Sequence, residues 1–152
     1  MKFSILISSY NKGKYIEKCI NSCLDQKLMN YEIILFDNYS TDNTFRILKK
    51  FRNEIKIFKK KRVSSSPALN QIDLINSAFK KSKGQIICLL DADDYFNKNK
   101  LIVLKRYFSK KKNINTVFDL PIKRYGSLKK KFKDKKKLQK NIWPTIIQTS
   151  SI

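Results

Sequence analysis

Apolar residues along this chain follow two spacings that alternate from one end to the other. Short, nearly unbroken apolar runs are typical of strands buried on both faces of a parallel sheet. They occur at residues 2–8, 31–36, 54–58, 85–90 and 114–122. Between them, apolar residues recur every three or four positions, as on one face of a helix. These helical segments are 14–26, 43–52, a third from Pro67, and 98–108. The order β-α-β-α-β-α-β-α-β predicts an α/β fold, a doubly wound and mostly parallel sheet with helices on both faces.

The same spacing predicts how the third helix is placed and where it ends. Pro67 suits the first helical position. Leu69, Ile72, Ile75 and Phe79 share one face and are expected to point inward. Gly84 follows the helix, where we expect a left-handed residue to cap its end.

Length and composition predict one folded domain in a reducing compartment. The chain has 152 residues, 41% of them hydrophobic, and no run approaches the about 18 apolar residues that span a membrane. The first apolar run is too short for a signal peptide, so a cytoplasmic location is expected. Three cysteines and no histidine argue against a disulfide framework or a zinc site. Cys19 and Cys23 are interpreted as small buried hydrophobic residues.

The charge of the chain is strongly positive, with 34 Lys and Arg against 12 Asp and Glu, a formal net charge of +22. Lysine far outnumbers arginine, whereas specific readers of phosphate and bases favour arginine. We interpret most of this charge as general surface lysine. The run at 129–140 is expected to be a solvated helix or a flexible segment. Contact of this run with an anionic membrane remains an alternative, and nucleic-acid binding is not expected.

Three carboxylates crowd the end of the fourth predicted strand, at Asp91, Asp93 and Asp94. Adjacent carboxylates repel each other unless something positive lies among them. Ligands of α/β sheets bind beyond the carboxyl ends of the strands. The pattern therefore favours a divalent cation with oxygen ligands, Mg²⁺ or Mn²⁺. The alternative is a solvated turn or helix cap, although Asn97 is the better capping residue.

Two further loops are expected at the same edge of the sheet, residues 8–12 and 37–42. Tyr10 could stack on a base or be an ordinary rim aromatic. Asn38 could hydrogen-bond a base or be a simple turn residue. The chain contains no glycine-rich phosphate loop, so a bound diphosphate is expected to be neutralised by a carboxylate-held cation.

Five features carry a resemblance to a known family. They are FSILISSYNK at 3–12, YIEKCINSCLDQ at 15–26, YEIILFDNYSTDNT at 31–44, Asn76 eight residues before Gly84, and ICLLDADD at 87–94. In this order and spacing the chain, from residue 3 to about 105, resembles the family 2 glycosyltransferases. These are GT-A fold enzymes that use nucleotide-sugar donors.

The resemblance implies a role for each matching residue. Ser8 and Tyr10 would line the nucleobase pocket, and Asp37 and Asn38 would hold the base and ribose. Asp93 would be the direct metal ligand, with Asp91 nearer the ribose or a metal-bound water. The family implies inverting transfer of a sugar, most often from UDP, to an acceptor hydroxyl. For this chain we expect a glycan or lipid-linked acceptor in bacterial cell-surface polysaccharide synthesis, and so a possible position at the inner face of the membrane.

The resemblance is incomplete in two respects. Many members of the family carry Asp where this chain has Asn38. The family's general base lies downstream of the acidic turn, and neither Asp119 nor Asp134 matches it, so the catalytic base is unidentified. We expect one truncated domain, with a donor-binding part at 1–125 and a lysine-rich start of the acceptor part at 126–152. A donor-binding but inactive chain is the alternative, and a lysine-rich nucleic-acid module is a remote one.

Overall fold

A computed structural model describes residues 1–110, residue 117, and the backbone of residues 122–125, 128–131 and 146–148. Its elements are β1 (Phe3–Ser9), α1 (Ile16–Leu24), β2 (Tyr31–Asp37), α2 (Thr44–Leu48) continued by a 3₁₀ turn (Lys49–Phe51), β3 (Lys56–Lys59), α3 (Pro67–Phe79), β4 (Ile86–Asp91), α4 (Lys100–Lys110), β5 (Ile122–Tyr125), β6 (Leu128–Lys131) and β7 (Ile146–Gln148). Most of the strand predicted at 114–122 lies outside the described residues.

One sheet organises the described part of the chain, with strand order β3-β2-β1-β4-β7. The first four strands are parallel, and β7 joins the edge of β4 in antiparallel orientation. In this register Ser8 lies beside Phe36 of β2 on one side and beside Asp91 of β4 on the other. The carboxyl ends of the three central strands therefore coincide, as the α/β prediction requires, and the predicted fold class is confirmed.

Side chains of the central strands alternate between two hydrophobic clusters, one on each face of the sheet. Phe3, Ile5 and Ile7 of β1 point into the larger cluster, with α1, α2 and α4, whereas Leu6 points into the smaller one, with α3. The apolar residues that recur at helical spacing in α1 and α4 are buried at Ile16, Cys19, Ile20, Cys23, Leu101, Leu104 and Phe108, and Leu24 is partly buried. The two cysteines are therefore packing residues, as predicted.

The buried face of α3 differs from the prediction. Leu69 and Phe79 are 54% and 46% exposed, and Asn70, Leu74 and Ala78 face the sheet instead. These three residues are four apart and form one row along the helix. The predicted inward face of α3 was wrong because it was chosen from apolar residues alone, whereas the buried row begins with a polar residue, Asn70.

Gly84 also has a different role from the predicted helix cap. The helix ends at Phe79, and the φ angle of Gly84 lies outside the left-handed region. A Cβ atom at this position would lie 2.5 Å from the backbone nitrogen of Ser4 and 2.6 Å from the carbonyl carbon of Phe3. Glycine is thus required because the chain passes directly against β1 as it enters β4.

The lysine-rich segment is described only at its start, where residues 129–131 belong to β6 in a hairpin with β5. A strand therefore stands where a helix or flexible segment was predicted, and the rest of the run lies outside the described residues. No helix in the part of the chain that the structure describes is long and apolar enough to span a membrane.

The corrected orientation of α3 predicts opposite results for the same substitution at two leucines. Leu74→Ala should lower the free energy of unfolding by about 2–5 kcal/mol, because Leu74 is 2% exposed and its truncation leaves a cavity. Leu69→Ala, on the outer face, should change it by no more than about 0.5 kcal/mol. Urea denaturation of both variants measures the difference, and equal losses would contradict the orientation described here.

Candidate functional site

A cleft of about 350 Å³ opens at the carboxyl ends of β1, β2 and β4. Polar and charged side chains dominate its lining, which comprises Ser8, Ser9, Tyr10, Lys12, Asn38, Arg62, Pro67, Asn70, Gln71, Leu74, Asp91, Ala92 and Asp93. Five of the six predicted site residues are thus brought together, namely Ser8, Tyr10, Asn38, Asp91 and Asp93. Their individual roles remain predictions.

Asp37, the sixth predicted residue, is absent from the lining and is fully buried at the end of β2. Its Oδ2 accepts a hydrogen bond from the backbone nitrogen of Ser40 (2.9 Å), and its Oδ1 accepts one from the Ser40 hydroxyl (2.6 Å). The carboxylate therefore closes the turn after β2, a common use of Asp at such positions. In this arrangement Asp37 supports the loop that carries Asn38.

Asn38 is held between two neighbouring segments at the rim of the sheet. Its backbone nitrogen donates to the carbonyl of Ser9 (2.8 Å), and its side-chain Nδ2 donates to the carbonyl of Lys60 (2.8 Å). The residue is almost completely buried. These bonds fix the orientation of the amide, so that Asn38 presents a defined polar surface to the cleft.

An aromatic ring and a guanidinium group meet at the cleft's edge. Tyr10 is 39% exposed, and the Arg62 guanidinium lies 5.1 Å from the centre of its ring. This distance is within the range of a cation–π interaction. The pair provides a flat surface and a positive charge beside each other, which suits a planar base that carries an anionic group nearby.

Arg62 is positioned through Asn70 of α3. Asn70 Oδ1 accepts hydrogen bonds from the backbone nitrogens of Val63 (2.8 Å) and Ser64 (3.1 Å). Its Nδ2 donates to the carbonyls of Ser64 (2.7 Å) and Ser66 (2.8 Å). A single buried amide thus satisfies four backbone groups of the segment that follows Arg62, which explains why a polar residue begins the buried row of α3.

The acidic turn forms another wall of the cleft, the acidic wall. Asp91 ends β4, and its Oδ1 accepts a hydrogen bond from Gln71 Nε2 (2.7 Å). Asp93 makes an ion pair with the ammonium group of Lys12. The turn is closed by the backbone nitrogen of Asp94, which donates to the carbonyl of Asp91 (2.9 Å). Asp94 itself does not line the cleft.

Electrostatic repulsion within this turn is only partly compensated. Burial, followed by the charge of Asp93, raises the pKa of Asp91. Burial and then the charges of Asp91 and Asp93 raise the pKa of Asp94. Lys12 opposes both increases. Asp91 and Asp94 are therefore less stable as anions than isolated aspartates, and an additional positive charge at the turn would stabilise them.

The carboxylates at the turn fit a cation that is shared with a ligand. Among residues 1–110 and the other described positions, no group of three or more His, Cys, Asp or Glu side chains is arranged to hold a metal ion. Asp91 and Asp93 alone offer too few ligands for a cation held by protein only. Mg²⁺ is commonly bound by one or two carboxylates together with substrate phosphates and water, and this is the mode that these residues suit.

Several cleft residues were missed by sequence reasoning. Arg62 belongs to a basic loop without a motif. Asn70 and Gln71 belong to α3, where Asn76 was the feature that the resemblance used. Lys12 lies in the first motif, but no role was predicted for it. Ser9 was passed over in favour of Ser8, although its buried hydroxyl has no hydrogen-bond partner among the described residues. A buried hydroxyl of this kind indicates an unfilled bonding capacity at the base of the cleft.

Comparison with known proteins shows which proteins the chain resembles. The family profile of glycosyl transferase family 2 matches residues 4–150. The poly(ribitol-phosphate) β-N-acetylglucosaminyltransferase TarS of Staphylococcus aureus is 34% identical over 105 residues, which are 66% of this chain and 18% of TarS. The crystal structure of S. aureus TarS 1–349 in complex with UDP-GlcNAc superimposes with a TM-score of 0.61 at 31% identity.

That superposition covers 72% of this chain and 32% of the TarS chain. A mannosyltransferase of Pyrobaculum calidifontis shares the fold, with a TM-score of 0.60 at 17% identity over 71% of this chain and 32% of its own. The chain therefore spans about a fifth of the length of TarS and about a third of each of these two solved chains.

The contacts of Asn70 predict that its side chain stabilises the Arg62 segment. Asn70→Ala should lower the free energy of unfolding by about 1–3 kcal/mol, because backbone groups of Val63 and Ser64 lose their partners. Cleavage by trypsin after Arg62 should become faster. Asn76→Ala is the control: it makes the same substitution at an exposed position of the same helix. Unchanged stability and cleavage in Asn70→Ala would contradict this role.

Proposed function

The chain belongs to glycosyl transferase family 2, and on this premise we propose that it binds the UDP-sugar donor of an inverting sugar transfer, with a divalent cation. The observation that carries the proposal is a cleft that joins the ends of three parallel strands. Its lining combines an aromatic ring with a guanidinium beside it and two carboxylates. This arrangement matches the two ends of a nucleoside diphosphate, a planar base and a charged diphosphate.

Each wall of the cleft has a chemical task in this proposal. Tyr10 stacks on the base, Arg62 supplies a positive charge beside it, and Asn38 hydrogen-bonds its polar edge or the ribose. Asp91 and Asp93 hold the cation, which as a Lewis acid stabilises the negative charge of the departing diphosphate. Gln71 keeps the Asp91 carboxylate in place through its 2.7 Å hydrogen bond. Asp37 acts indirectly, by closing the turn that presents Asn38.

The choice of donor and of product rests on relatives rather than on contacts in this chain. The S. aureus TarS structure with UDP-GlcNAc supports a UDP-sugar. TarS acts on poly(ribitol-phosphate), and the chondroitin synthase of Pasteurella multocida, 31% identical over 116 residues, makes another polymer. We therefore propose a bacterial cell-surface polymer as the product and a polymer hydroxyl as the acceptor.

A second candidate function is donor binding without transfer. Attack by an acceptor hydroxyl needs a positioned base. The two carboxylates that line the cleft, Asp91 and Asp93, lie at the acidic turn that the proposal assigns to the cation. Incubation of the 152-residue chain with UDP-GlcNAc and Mn²⁺ decides between the two candidates. Release of free sugar or transfer to added polymer would eliminate the inactive one.

Removal of one cation ligand tests the donor site directly. Wild-type protein should bind UDP in the presence of Mn²⁺, and Asp93→Ala should weaken this binding by about tenfold or more, since a charge-assisted contact to the cation is lost. Isothermal titration calorimetry measures both affinities.

Asp25→Ala is the matched control, because Asp25 is exposed next to the end of α1 and is absent from the cleft lining. It should bind UDP as the wild type does. An undetectable affinity in the wild type, or the same affinity in Asp93→Ala, would refute the proposal.

A further inference from the structure

Lys12 lies at the acidic wall of the cleft, and the family resemblance implied no role for it. Its ammonium group forms the ion pair with Asp93 Oδ2, across 81 positions of sequence, and both side chains are partly exposed in the cleft. The ammonium thus lies against the carboxylate to which the proposed function assigns the cation. A lysine and a divalent cation at the same carboxylate repel each other, so they compete for this position.

The two ends of Lys12 differ in how firmly they are held. Its backbone nitrogen donates to the hydroxyl of buried Thr44 (2.8 Å). Its carbonyl accepts hydrogen bonds from the backbone nitrogens of Tyr15 (2.8 Å) and Ile16 (2.9 Å), at the start of α1. The ion pair with Asp93 holds the other end, on a flexible four-carbon stem. The ammonium can therefore change partners within the cleft while the backbone stays fixed.

A nucleoside diphosphate supplies the new partner. It has more phosphate oxygens than one divalent cation coordinates, and these oxygens accept hydrogen bonds from an ammonium group, which has three donors. We propose that Lys12 exchanges partners: it neutralises Asp93 in the absence of a donor, and it binds the diphosphate once a cation has replaced it on Asp93. This inference rests on the proposed function, and it assigns Lys12 as a further donor-binding residue.

The exchange makes cation and donor bind cooperatively. A cation alone must displace Lys12 from Asp93, and the ammonium is then left without a partner of opposite charge. When the donor arrives with the cation, the diphosphate accepts the displaced ammonium, so each ligand increases the affinity for the other. A lysine that merely stabilised the fold, or merely attracted anions, would not link the two ligands in this manner.

Lys12→Met tests the exchange, because methionine keeps an unbranched apolar stem and lacks the charge. Removal of the competing ammonium should make Mn²⁺ alone bind severalfold more tightly. Removal of the diphosphate contact should weaken UDP binding in saturating Mn²⁺ by about tenfold. Calorimetry measures UDP binding, and the electron paramagnetic resonance signal of free Mn²⁺ measures cation binding. The inference requires these two changes to have opposite signs.

Lys14→Met is the matched control. Lys14 lies two residues further on, with its ammonium 5.6 Å from the ring centre of Tyr15, and it does not line the cleft. It should leave both affinities unchanged. Lys12→Gln, a second neutral variant, should repeat the result of Lys12→Met if the latter folds poorly by circular dichroism.

Each outcome of this experiment decides one question. Parallel losses of Mn²⁺ and UDP affinity in the Lys12 variants would overturn the inference and indicate a structural role. Unchanged affinities would also overturn it, while UDP binding by the wild type would leave the proposed function intact. If the wild type does not bind UDP, the proposed function fails, and the diphosphate half of the exchange fails with it.

Discussion

The parallel register of β1 between β2 and β4 is the constraint on which the cleft depends. Hydrogen bonds at the amino-terminal ends of these strands, opposite the cleft, hold that register. The buried Ser4 hydroxyl donates to Glu32 Oε1 of β2 (2.7 Å) and accepts from the backbone nitrogen of Gly84, two residues before β4 (2.9 Å). Glu32 also accepts from the backbone nitrogen of Lys83 (2.6 Å). Because a shift of one residue would turn every side chain of a strand to the other face, these bonds decide which residues reach the cleft.

The cleft carries charges of both signs, although the chain as a whole is strongly basic. A formal net charge of +22 attracts anionic ligands in general. At the cleft, two cationic residues, Lys12 and Arg62, lie in the same lining as two carboxylates, Asp91 and Asp93. A nucleoside diphosphate with a cation also combines both signs of charge. On the proposed function, the surface lysines would raise the rate of encounter with anions, and the few charges in the cleft would select among them.

Sequence patterns predict those parts of the molecule that depend on local spacing. The unbroken apolar run before Asp91 indicates a central strand because both of its faces are buried, and the confirmed α/β fold follows from the order of such runs. The face of α3 could not be predicted, since Asn70 is polar and its partners in the Arg62 segment are fixed only by folding. The Lys12–Asp93 pair could not be predicted from local spacing either, because the two residues are 81 positions apart in the sequence. Five cleft residues were nevertheless identified, since strand ends that meet at one edge can be read from topology alone.

The amino-terminal part of α3 shows why core and cleft cannot be separated in this fold. Three of its residues serve three different purposes: Asn70 bonds the Arg62 segment, Gln71 bonds Asp91, and Leu74 enters the core beneath the cleft. A rotation of α3 that buried Leu69 in place of Asn70 would add apolar contact. It would also move Gln71 from Asp91 and leave the backbone groups of the Arg62 segment without partners, a cost of about 1–3 kcal/mol for each buried group. The exposed apolar stripe of α3 is therefore a consequence of the site: the helix is oriented by its polar contacts at the cleft, and its packing follows from that orientation.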